Sequence, residues 1–381
     1  MEEQKGLRQM LINRLESERG LATKMAKMTS FSSGSSLMKT LRKNDGDIEL
    51  FDSFVYIVHE LFPEEKFDLM FEFAKTLNPN RMTARFMIEY AALYGLREMK
   101  VHMINKLLNS DNDHSVDWAY VYNIDHLTMV KELGSFEAIN LLSQRKYTSP
   151  EMKVYSKIVL YYIFEDMRNI KMMETLYSDI KGEIDNIVNT FTKSSFLARL
   201  FLIEGDVNLH NKLTAKVKEN IFAIENALDP LKYYAFLTIG NSYMLTNYEK
   251  ALELYNRCLE NVDGVVEEQV RNSKNFLSIL WGKFDQYVFN GDLSNELFYY
   301  AKNGEIEKGK AVLAQIEVDE LSVYQKAFNC YYQALLFDDE NMLYKSIKYF
   351  NESGDKFYKM LPIRELQVKG INQNIIEVLS A

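Results

Sequence analysis

Helix breakers and thiols are scarce in this chain. Its 381 residues include five prolines, sixteen glycines and two cysteines. Proline and glycine are the costliest residues in a helix interior, so their scarcity favours helix throughout. Two lone thiols, Cys258 and Cys330, exclude a disulfide-stapled scaffold and fit a reducing compartment. No apolar run approaches the roughly 20 residues that span a bilayer. The richest, Ile158–Phe164, runs straight into Glu165 and Asp166. The opening Met-Glu-Glu-Gln-Lys leads into no apolar segment, so no secretory signal is expected. The expected location is therefore the cytoplasm, with no membrane partner.

Catalytic patterns are also missing. There is no Gly-x-Ser-x-Gly, no phosphate loop and no dinucleotide fingerprint. His59, His102, His114, His126 and His210 are scattered, with no His-x-x-x-His. Asp111-Asn112-Asp113-His114 with Asp117 has the look of a metal loop, but it lacks the Gly and Glu a calcium loop needs. A polar loop in which Ser115 or Asp117 caps the next helix explains it better. The sequence is read as a non-enzyme that holds no metal and no cofactor.

What is present is uneven charge. Residues 1–45 carry nine Lys/Arg and five Asp/Glu, a balance of +4 in a chain of net −9, which leaves −13 for the rest. A basic head suits a polyanion and an acidic body repels one. The head reads as short helices. Leu7–Leu15 has a stripe of Leu7, Met10, Leu11 and Leu15, and Leu21–Met28 one of Leu21, Met25 and Met28. Thr29–Gly34 is a turn by composition, and Ser35 or Ser36 is placed to cap a helix running to Lys43. Asn44–Asp47 closes that helix, and Ile48–Leu61 ends before Pro63.

Two short helices around a tight turn follow the helix-turn-helix plan. Hydroxyls near the start of the second helix suit phosphates or base edges, and the basic residues suit the backbone. The candidate DNA contacts are Lys27, Ser32, Ser33, Ser35, Ser36, Lys39, Arg42 and Lys43. A capped surface helix with solvated charges explains the same stretch equally well.

From about residue 64, helical stripes alternate with short polar breaks at Asn78–Asn80, Ser110–His114, Ser149-Pro150, Gly205-Asp206, Thr246-Asn247, Gly291-Asp292, Asn303-Gly304 and Asp338-Asp339. The clearest unit is Tyr234–Leu259. Gly240 and Tyr243, a turn at Asn247-Tyr248, then Ala251, Tyr255 and Cys258 follow the small and large order of a tetratricopeptide repeat. Weaker copies span Ala301–Ile316 and Tyr324–Phe350. Stacked helix pairs curve into a superhelix whose hollow suits extended peptides. Within the clearest unit, Thr238-Ile239-Gly240-Asn241-Ser242 is polar where Leu or Ala is expected. Asn241 offers donor and acceptor together. It could clasp a peptide main chain or join two helices. The apolar end, with Ile375, Ile376, Val378 and Leu379, packs either on the preceding helix or on a second subunit.

Several segments carry a family resemblance. They are Leu237–Tyr248 (LTIGNSYMLTNY), Ala84–Ala91 (ARFMIEYA), Phe276–Trp281 and above all Ser346–Gly370 (SIKYFNESGDKFYKMLPIRELQVKG). From about residue 20 onward the chain resembles the arbitrium receptors, the AimR family of temperate Bacillus phages. That family belongs with the Rap, NprR, PlcR and PrgX peptide-sensing regulators.

The resemblance implies an all-α fold. It comprises a helix-turn-helix domain (1–61), a tetratricopeptide-like right-handed α-solenoid that binds peptide (62–370) and a capping and dimerisation helix (371–381). It implies a homodimeric regulator that binds double-stranded operator DNA and is switched by a signalling peptide of about six residues, deciding between lysis and lysogeny in the host cytoplasm. By motif match the peptide contacts are Arg85, Asn208, Thr238, Asn241, Met244, Phe276 and Asp355. Arg85 and Asp355 would meet ligand charges of opposite sign and join the two ends of the superhelix, shifting the population of conformers. The dimer helix would use Ile375, Ile376, Val378 and Leu379. Glu204 and Pro230 depart from the family, standing where relatives carry Asn and Arg. A Rap-like module that binds a protein partner under peptide control is the alternative.

Overall fold

The computed structural model describes residues 6–43, 47–219, 229–260 and 264–380, and among them there are helices and no strand. The chain divides into two compact units, Met1–Leu160 with Ile180–Leu197, and Tyr161–Asp179 with Ala198–Ala381.

The first unit opens with helices Leu7–Ser17, Leu21–Lys27 and Gly34–Leu41. Leu7, Leu11 and Leu15 recur every four residues and bury one face, as Leu21 with Met25 and Leu37 with Leu41 do. The last two helices form the helix-turn-helix. Ser33, rather than Ser35 or Ser36, caps the second, its side chain accepting from the Ser36 N–H. The reason lies at Gly34. A Cβ there would fall 2.9 Å from the Thr23 nitrogen, so glycine is the first helical residue and packs against the helix before it. Met28, assigned above to the apolar stripe, is 48% exposed. Asn44–Gly46 of the closing turn lie outside the described residues.

The following helix is Phe51–Leu61, starting later than Ile48. Asp47 and Ile48 are engaged elsewhere: the Thr83 N–H donates to Asp47 Oδ1 at 3.0 Å, and the Ile48 N–H to Thr83 Oγ1 at 2.8 Å. These bonds secure the start of helix Met82–Leu93, which is buried almost all round. Asn112 caps helix Asp113–Met129 by accepting from the His114 and Ser115 N–H groups. Ser115 and Asp117 are therefore inside the helix rather than its caps. The Asp117 carboxylate accepts from Arg145 (2.8 Å) and from the Thr148 hydroxyl (2.9 Å).

The second unit contains helix pairs of the tetratricopeptide kind. Helices Asp229–Tyr243 and Tyr248–Leu259 turn at Asn247, whose side chain caps the second by accepting from the Lys250 N–H. Gly240 lets them touch, since a Cβ there would lie 2.5 Å from Tyr255 Cε1. Ala251, Tyr255 and Cys258 are fully buried, as the repeat pattern requires. The pairs Leu293–Asn303 with Ile306–Leu313 and Val323–Phe337 with Glu340–Ser353 follow. Their turns use Gly304 at φ 74° and Asp338 at φ 55°. Gly205-Asp206, expected as a break, lies inside helix Thr190–His210. A Cβ at Gly205 would make only an ordinary contact, 3.7 Å from the Thr238 methyl, so neither space nor backbone demands glycine there.

Candidate functional site

The second unit gathers most of the candidate peptide contacts around tyrosines. Asn241 is half-buried, and its Oδ1 accepts a hydrogen bond from the Tyr255 hydroxyl at 2.7 Å. The interhelical bond is therefore real. It leaves the amide nitrogen with no protein acceptor among the described residues. Thr238 and Asn208 are half-buried as well. Phe276 is 8% exposed and sits edge-on to Tyr358, with centroids 6.2 Å apart, and to Phe328 at 5.9 Å. Tyr324 closes the same aromatic wall, 5.1 Å from Phe328. Met244 is 1% exposed, so its side chain belongs to the core, while its carbonyl accepts from Trp281 Nε1 at 2.8 Å.

Asp355 is not a free carboxylate. It is 1% exposed; Oδ1 accepts from the Tyr358 N–H at 2.8 Å and Oδ2 pairs with His210 Nδ1 at 2.8 Å. The other imidazole nitrogen lies 3.6 Å from Asp206, which also accepts from the Tyr161 hydroxyl at 2.9 Å. Burial alone would lower the His210 pKa, but Asp355 and Asp206 outweigh it and raise it. Arg168, in a left-handed turn at φ 52°, holds its guanidinium 5.6 Å over the Tyr324 ring centre. Glu165 completes the cluster. Burial, and after it Asp206, push its pKa up to about 7, against the pull of Arg168 and His210. Three carboxylates, Glu165, Asp206 and Asp355, thus share the cluster with Arg168 and His210, and Glu165 is the one whose charged form is disfavoured.

The first unit has a cavity of about 280 Å³, lined by Arg85, Phe86, His114, Trp118 and Glu151 among others. The Arg85 guanidinium donates to Ser115 Oγ at 3.1 Å. Burial lowers its pKa, and Asp47 and Glu151 oppose the shift. A desolvated guanidinium is suited to a carboxylate.

In the head, Ser35, Lys39, Arg42 and Lys43 line one open hollow of about 640 Å³ with Ala22, Thr23, Gly34 and Met38. Lys27 and Ser32 are exposed outside it, Ser33 is occupied as the cap and Ser36 is half-buried. Arg42 pairs with Glu16 at 2.7 Å, both more than half exposed. At the other end, helix Gln373–Ser380 turns Ile376 into the core (2% exposed) and packs Leu379 partly against it. Ile375 (47%) and Val378 (76%) remain outside. Glu204 accepts from the Tyr177 hydroxyl at 2.5 Å, and the Pro230 side chain lies outside the described residues.

Sequence reasoning missed Glu165, Arg168, Asp206, His210, Tyr324 and Tyr358. One local signal existed: Asp206 and His210 are four apart, which places both on one helix face.

A helix-turn-helix head followed by tetratricopeptide-like pairs defines a helical-repeat regulator. The chain belongs to the AimR transcriptional regulator-like family, whose model matches residues 66–368. It is similar to the AimR transcriptional regulator of Bacillus phage phi3T, 28% identical over 379 residues that cover 97% of this chain and 100% of that protein. Solved structures agree. Selenomethionine phAimR matches with a TM-score of 0.70 at 27% identity, over 98% of this chain and 100% of that one. Ligand-bound phAimR matches with a TM-score of 0.79 at 27% identity, over 86% and 98%. The family is one of transcriptional regulators, not of enzymes. No helix among the described residues is long and apolar enough to cross a membrane.

Proposed function

We propose that this regulator is a receptor for a signalling peptide of about six residues. It acts as a cytoplasmic homodimer whose hold on operator DNA changes when the peptide binds, and so sets the choice between lysis and lysogeny. The reading keeps the partition into a DNA-binding head (1–61), a peptide-binding repeat body (62–370) and a dimerisation helix (371–381).

One observation carries the reading. Asn241 is bonded to Tyr255, Phe276 and Asp355 both touch Tyr358, and Tyr358 lies close enough to Tyr255 to act on it, so these three candidate contacts share one tyrosine cluster. Beside this cluster a peptide would be clasped by its main-chain amide at Asn241 and would place a side-chain cation near Glu165 and Asp355. Half-buried Thr238 and Asn208 are assigned to the same peptide, and buried Met244 to its support from the core. Arg85 is assigned an anionic group in the first unit's cavity. A relative solved with a ligand supports the reading.

For DNA, Ser35, Lys39, Arg42 and Lys43 are assigned to the operator, with Lys27, Ser32, Ser33 and Ser36 beside them. For the dimer, Ile375 and Val378 form the contact, with Leu379 at its edge and Ile376 anchoring the helix from within. The test is the peptide itself. If the short reading frame beside the gene encodes a secreted precursor, its C-terminal hexapeptide should bind the full chain and alter a gel shift on upstream DNA. A hexapeptide that binds without changing DNA binding would favour a protein partner instead.

A further inference from the structure

We propose that Arg8 is a positioning residue for DNA reading. It ties the C-terminal end of helix Gly34–Leu41 to helix Lys66–Thr76 behind the head, and so sets the angle at which Ser35, Lys39 and Arg42 meet a base sequence. The proposal rests on the assignment of helix Gly34–Leu41 to operator DNA. All the elements it joins lie in the first compact unit.

Arg8 stands in the first turn of helix Leu7–Ser17. Its Nη1 donates to the Thr40 carbonyl at 3.2 Å and to the Lys43 carbonyl. The last carbonyls of a helix have no partner inside it and carry the negative end of its dipole, so a guanidinium suits them. The same guanidinium lies 5.7 Å from the centre of the Phe73 ring. Phe73 is 6% exposed and packs on Phe54, with ring centres 5.4 Å apart. One side chain thus runs from the reading helix to helices Lys66–Thr76 and, through Phe73, Phe51–Leu61.

Other holds on the reading helix are weaker in direction. Leu37 and Leu41 bury one stripe of it. Hydrophobic contact is non-directional, so two leucines do not fix how the helix rolls about that stripe. The Arg42–Glu16 pair is more than half exposed, and such pairs hold little. Arg8 is half-buried and bonds backbone rather than a mobile side chain. Its bonds are directional, and they leave Lys39 and Arg42 available to DNA.

Gel shifts of the full chain test this, with a duplex from upstream of the gene and a random duplex of equal length, at several salt concentrations. Arg8→Met keeps the reach of the side chain and loses its donors. Its preference for the upstream duplex should fall about tenfold while the salt slope stays that of the wild type, because a tilted helix loses base contacts and keeps its charge. A chain that was merely less well folded would lose both duplexes alike. If Arg8→Met fails to fold, Arg8→Lys carries the test with a smaller drop, since it keeps the charge but not the flat face laid on Phe73. An unchanged preference would overturn the role. So would equal weakening on both duplexes with a salt slope reduced by about 1, which would make Arg8 a phosphate contact. Hydrogen exchange reads the tie without DNA: in Arg8→Met the amides of Gly34–Leu41 should exchange faster while those of Tyr248–Leu259 keep their protection. Unchanged exchange in Gly34–Leu41 would overturn the tie. A wild type with no preference between the duplexes would instead refute the DNA assignment, and the exchange result would still decide the tie.

Discussion

The Tyr255 hydroxyl donates to Asn241 Oδ1 at 2.7 Å and so fixes which end of the amide faces away from the helix pair. The bond takes up the acceptor and presents the donor. Asn241→Ala should abolish peptide binding while leaving DNA binding intact. Tyr255→Phe keeps the amide but frees it to rotate, and should weaken the peptide about tenfold at a stability cost of about 1 kcal/mol. Calorimetry on the two variants checks both. Unchanged affinity in Tyr255→Phe would mean that the amide's orientation does not matter.

Gly240 and Tyr255 form the other half of that relationship. A methyl at residue 240 would meet the ring at 2.5 Å and force it aside. Gly240→Ala should therefore cost about 1–3 kcal/mol by overpacking and weaken the peptide with it. Denaturant melts paired with peptide titration would detect this. A variant as stable as wild type would show that the helices separate at little cost.

Glu165 gives the pH dependence a sign. Its pKa is raised to about 7, so the folded chain holds a proton there that an unfolded carboxylate has lost. That contribution to stability is complete below the unfolded value near 4.5 and is lost as pH rises through about 7. His210, also raised, acts in the same sense above its ordinary 6.5. A peptide cation replaces the Glu165 proton, so the two compete. Affinity should be about tenfold weaker at pH 6 than at pH 8, and Glu165→Gln should flatten the dependence. A dependence that survives in Glu165→Gln would place the proton elsewhere.

In the head, Lys39→Ala with Arg42→Ala should weaken operator binding and reduce the salt slope by about 2, close to one counterion per residue. Glu16→Gln should act oppositely, releasing Arg42 from its exposed partner. Gel shifts at several salt concentrations read both effects. No loss in the double variant would remove this face from the DNA.

What the sequence made legible was whatever depends on local spacing. Gly240, Ala251, Tyr255 and Cys258 sit at repeat positions because helix contact demands small and large residues at fixed intervals, and the helix-turn-helix followed from short stripes around a turn. Glycine misled twice, since Gly34 serves close packing at the start of a helix and Gly205 lies inside helix Thr190–His210 without breaking it. The ionic cluster was hidden for another reason. Glu165, His210, Tyr324 and Asp355 lie far apart in the chain, and no periodicity joins them. Asp355 was singled out by resemblance, but its partner His210 was found only in the fold.

The most direct test of the central claim is calorimetry of the full chain with a synthetic hexapeptide that carries a cationic side chain, run beside Asn241→Ala. The account expects saturable binding with one peptide per chain in the wild type and none in the variant. No binding by either chain, or equal binding by both, would contradict it.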